Sequence, residues 1–88
     1  MRRRVLATTD IREIELGIPP GHQHLRATLR LQSGEEMVLQ EATVAGLVRA
    51  FVAVKTHPLK TGVRLTGREM TEKETKPGFA VWQLLEED

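Results

Sequence analysis

Leu25, Ala27, Leu29 and Leu31 alternate with Arg26, Thr28, Arg30 and Gln32, and this period of two constrains the fold more than any other feature of the chain. Successive side chains of a strand point to opposite sides, so the alternation predicts one apolar and one solvated face. Ahead of it, Ile14, Leu16 and Ile18 alternate with Glu13 and Glu15, and Pro19-Pro20-Gly21-His22 supplies a type II turn with Gly21 at positive φ. The first two strands are therefore expected as a hairpin. Gln32-Ser33-Gly34 suits a short loop closed by a left-handed glycine. That loop sets Leu29 opposite Met37 and Ala27 opposite Leu39, and so predicts a third strand over Met37 to Gln40.

From Ala42 to Thr56 the period changes. Val44, Leu47, Val48, Phe51 and Val54 follow the three-and-four spacing of one helical face, with Thr43 as a candidate cap and His57-Pro58 as the stop. Valine and phenylalanine are poor helix formers, so burial is expected to hold this helix. A fourth strand is read from Val63 to Met70 and a fifth from Phe79 to Leu85, with Trp82 in its middle. Between them Thr71 to Lys76 is polar and aperiodic, which predicts a mobile hairpin loop over 71–76, and Pro77-Gly78 marks a second turn.

The order βββαββ predicts a two-layer α+β fold: an antiparallel sheet of about five strands, in the order 3-2-1-5-4, packed on one apolar helix. Its core is expected to gather Leu29, Leu31, Leu47, Phe51, Leu65 and Trp82. With 88 residues, 40% of them apolar and 28% charged, the chain is expected as a single globular domain, 1–88. Aromatic residues are only 3% of the chain, so aliphatic side chains must fill that core and self-association would help it.

Thirteen Lys and Arg against twelve Asp and Glu leave a net charge of +1, too small a field to draw in nucleic acid or a membrane surface as a whole. The absence of cysteine excludes thiolate metal sites and a thiol nucleophile, and fits a reducing compartment. After Arg2-Arg3-Arg4 only Val5, Leu6 and Ala7 are apolar, too short a run for a signal peptide. No window approaches the ~20 apolar residues that span a bilayer, so the expectation is a cytoplasmic chain with no membrane partner.

Motifs for chemistry are sparse. His22 and His24 alternate on a strand and His57 ends the helix, but no carboxylate or thiol stands beside them in a ligand spacing, so they read as turn histidines. Ser33, the only serine, sits at a hairpin tip with no base at a telling distance. The pairs Glu13 and Glu15, Glu35 and Glu36, and Glu86 and Glu87 lie where water keeps a carboxylate ordinary. No glycine-rich phosphate loop opens the helix. No catalytic, metal or cofactor residue is assigned, and an enzyme ranks third among the readings.

Two surfaces stand out. Opposite the apolar arc of the helix lie Ala42, Gly46, Ala50 and Ala53 with Arg49 nearby, a stripe of small residues that would admit a close neighbour. This makes a non-catalytic module that self-associates, or docks a protein partner, through its helix side the leading expectation. Arg26, Arg30, Arg64 and Arg68 all have the outward parity of their strands, a candidate face for nucleic acid or another anion and the second expectation. Glu13 and Glu15 share that parity, and no aromatic stands there for bases to stack on.

Overall fold

A computed structural model describes residues 2–87. The chain is α+β in the order βββαββ: β1 (Ile11–Gly17), β2 (Arg26–Leu31), β3 (Glu36–Gln40), α1 (Glu41–Thr56), β4 (Arg64–Glu69) and β5 (Trp82–Glu87), with a 3₁₀ turn at Thr8–Asp10. All neighbouring strands are antiparallel, but they form two sheets, β1-β2-β3 and β4-β5, and not the single sheet of five that parity alone suggested. The alternation fixes which face of each strand is apolar; it says nothing about whether β1 and β5 share an edge. The chain gathers into two compact units, one ending at Val44 and the other beginning at Ala45.

In the first unit both expected turns form, and β1 pairs with β2 through a register shift between Ile11 and Glu13. Gly21 takes φ 79° and the His22 N–H donates to the Pro19 carbonyl at 3.0 Å, closing the type II turn expected at Pro19-Pro20-Gly21-His22. Gly34 takes φ 93°, its N–H donates to the Leu31 carbonyl at 3.0 Å, and β3 then lies with Met37 opposite Leu29 and Leu39 opposite Ala27. β2 is flanked on both sides, and its Ala27 and Leu31 are buried, Leu31 with only 1% of its surface exposed. Toward the β1 edge cover thins, and Ile14 and Leu16 remain more than half exposed.

In the second unit the β4-β5 hairpin pairs Leu65 with Glu86, Gly67 with Leu84 and Glu69 with Trp82. The Pro77-Gly78 turn forms, with Gly78 at φ 84° and the Phe79 N–H donating to the Lys76 carbonyl at 3.1 Å. That turn consumes Phe79, so β5 begins later than the sequence predicted, at Trp82. The Trp82 ring lies over Gly67: a Cβ on that glycine would come within 2.6 Å of the indole Nε1. A strand glycine marks such a close approach, and the ring covers backbone that no side chain shields. Trp82 is nonetheless 64% exposed and forms no part of a buried core.

The helix is turned opposite to the expected sense. Gly46 is its one buried residue, and a Cβ there would meet the Leu65 Cδ1 of β4 at 3.0 Å. Ala50 and Ala53 flank it, half-buried, while Leu47 and Phe51 are 53% and 64% exposed. Leu47, Phe51 and Trp82 therefore leave the expected core cluster. The large and small faces lie on opposite sides of one cylinder, and only the small face lets the helix backbone close on β4.

Candidate functional site

The four arginines singled out by parity are divided between two sheets. Arg26 and Arg30 stand on β2 and Arg64 and Arg68 on β4, in separate sheets. Arg30 is fully engaged: its guanidinium pairs with Glu13, with Glu15 at 3.2 Å and with Glu36 at 3.4 Å. Those carboxylates raise its already high pKa, chiefly through the bonds to Glu15 and Glu13. Arg68 is held by both oxygens of Glu74, at 2.7 and 3.1 Å. Arg26 donates to its neighbour's Leu25 carbonyl at 3.4 Å, beside a hollow at the hairpin end lined by Glu15 and Thr28. Arg64 lies cross-strand from Glu87.

The Arg68–Glu74 pair also reaches into the stretch 71–76, expected as a mobile loop. Glu74 accepts from the Thr71 N–H at 3.0 Å and the Thr71 hydroxyl at 2.9 Å, and its own N–H donates to the Thr71 carbonyl at 3.0 Å. Arg68 above all, and then the Thr71 donors, lower the Glu74 pKa to about 2. A polar segment without period thus carries a hydrogen-bonded turn that Arg68 ties to β4.

His24 and His57 make local bonds. The His24 Nδ1 lies 3.2 Å from Glu41, whose carboxylate also accepts the Leu25 N–H at 3.1 Å. The Leu25 N–H, with His24 second, lowers the Glu41 pKa and keeps that group anionic. The His57 Nδ1 accepts the Leu59 N–H at 3.2 Å, closing the turn after the helix. Among the described residues no group of three or more His, Cys, Asp or Glu is placed to hold a metal ion. No helix among them is long and apolar enough to cross a membrane.

The small-residue stripe is not the exposed surface that its spacing suggested. Gly46 is buried and Ala50 and Ala53 are half-buried, so only Ala42 and Arg49 of the five stand in solvent. The exposed surface is the opposite face. Leu47, Val48, Phe51 and Val52 are each at least half exposed. Beside them an open groove of about 580 Å³ is lined by Leu47, Val48, Ala50, Phe51, Val54, Lys55 and Val63. Sequence reasoning identified most of these residues as one face and misjudged which way it points. Gly46 was the available signal, because an interior helix glycine costs about 1 kcal/mol relative to alanine and so often marks a close backbone approach.

Full burial of a valine, leucine or phenylalanine side chain contributes about 1.5–3 kcal/mol, and four adjacent side chains on α1 leave at least half of it unused. The face offers no acid, base or nucleophile within the apolar patch, only Lys55 at its rim. An exposed apolar face of this kind can dock another surface. No family model matches this chain, and no curated protein or solved structure matches it either.

Proposed function

We propose that this chain is a non-catalytic assembly module that self-associates through the helix side. The observation that supports this reading is the contiguous apolar face of Leu47, Val48, Phe51 and Val52, at least half exposed on a helix whose small-residue face is already covered. A contiguous apolar patch of this kind marks an interaction surface in a folded protein. The site therefore lies opposite Gly46, Ala50 and Ala53.

Sedimentation of the native chain over a dilution series tests it. The expected result is a mass near twice 9.9 kDa at high concentration that falls on dilution. A monomer at every concentration would overturn the reading. Retention on heparin or duplex DNA that weakens steeply with salt would instead favour the arginines, of which Arg30 and Arg68 already hold carboxylates.

A further inference from the structure

The outward face of α1 carries a seven-residue pattern. Glu41, Val48 and Lys55 are seven residues apart, as are Val44 and Phe51, and Ala45 and Val52. Seven residues fall within about 20° of two full turns, so these positions form one continuous stripe. The stripe lies opposite the buried Gly46. Val48, Phe51 and Val52 are 56%, 64% and 50% exposed, the Glu41 and Lys55 ends are exposed, and Val44 and Ala45 are half-buried.

The geometry points to a second copy of this chain as the occupant, its α1 packed antiparallel on this one about a twofold axis at Val48. This rests on the self-association proposed above and adds the partner's orientation and register. Centred on Val48, an antiparallel pair brings Val48 against itself, Val44 against Val52, and the small Ala45 against the large Phe51. At each end the acidic Glu41 of one copy meets the basic Lys55 of the other. An isologous contact requires such reciprocity, since each residue must suit the residue that its own counterpart meets. A parallel pair would set Glu41 against Glu41 and Lys55 against Lys55, opposing like charges at both ends. Glu41 can serve this role while holding Leu25 and His24, because a carboxylate has about four acceptor positions and its side chain is 48% exposed.

The chain has no cysteine, so a single introduced thiol reports the axis directly. Val48→Cys is expected to form a disulfide-linked dimer under mild oxidation at least tenfold faster than Arg49→Cys, which lies about 100° away around the helix. Lys55→Glu replaces two attractive end pairs with two repulsive ones and should weaken the dimer about tenfold. Mixing it with Glu41→Lys should restore affinity by pairing opposite charges at both ends. If the native chain dimerises but Val48→Cys links no faster than Arg49→Cys, this register is overturned while the assembly reading stands. If Lys55→Glu leaves the dissociation constant unchanged, the Glu41–Lys55 pairing is overturned even should Glu41→Lys fail to fold. A native chain that is monomeric throughout overturns both.

Discussion

The two units solve the same problem differently. In the first, β2 lies between two strands, and its apolar residues Ala27 and Leu31 are closed in while its outward Arg30 is neutralised by glutamates of both neighbours. In the second, the two-stranded β4-β5 hairpin meets a helix that presents its smallest residue, Gly46, to Leu65 and turns Leu47, Val48 and Phe51 outward. The central strand satisfies its side chains within its own sheet. The helix leaves its largest ones exposed.

If that contrast is right, substitutions at the two places must differ in kind. The largest effect is expected at Leu31, where truncation to alanine removes a side chain with 1% exposure and should cost about 2–5 kcal/mol, read from a denaturant melt. In a domain this small, much of the total stability would go. A cost near zero would show that the three-stranded sheet does not hold the core of its unit.

Gly46→Val sharpens the other side of the comparison. Its first new carbon would stand 3.0 Å from the Leu65 Cδ1, so the leucine side chain must give way or the helix must lift from β4. The expected cost is about 1–3 kcal/mol by overpacking, measurable in the same melt. A stability gain in both Gly46→Val and the bulkier Gly46→Phe would mean that the small face is not the inner one, since a shift of the Leu65 side chain cannot make room for a phenyl ring.

A smaller and local effect follows from the Arg68–Glu74 clamp. Glu74 titrates at about 2 in the fold against an ordinary 4.5, so its bonds favour the folded turn above the ordinary value and fade as pH falls from 4.5 toward 2. Protection of the Thr71 and Thr75 amides, taken relative to the unfolded rate at the same pH, should therefore fall through that window while that of the β2 amides holds. Glu74→Gln should quicken exchange already at neutral pH. Equal protection of the Thr71 amide at pH 7 and pH 2.5 would refute the clamp.

Legibility from sequence followed the physics of each element. A strand has two faces half a turn apart and the turns beside it have fixed chemistry, so Pro20-Gly21 marked one turn and the Gly34 loop set Met37 opposite Leu29 and Leu39 opposite Ala27, whereas the register shift between Ile11 and Glu13 had no such signal. A helix with an apolar arc on one side and small residues on the other has two faces that can pack, and hydrophobicity favoured the wrong one. The contact that decides it, Gly46 against Leu65, joins residues far apart in sequence. Arg68 and Glu74 escaped for a similar reason: outward parity marks exposure but not which carboxylate a loop will bring back. The number of sheets was equally hidden, because edge-to-edge pairing of β1 with β5 has no local signature.

If the large apolar face of α1 points away from its own unit and serves association, Phe51 meets a partner and no buried core. Phe51→Asp tests it in one variant, followed by circular dichroism for folding and sedimentation for mass. The account predicts a folded chain that stays monomeric where the parent dimerises, because a charge enters the contact face but no buried core. An unfolded variant at concentrations where the parent is itself a folded monomer would place Phe51 in the core and contradict the account; a folded dimer indistinguishable from the parent would contradict it equally.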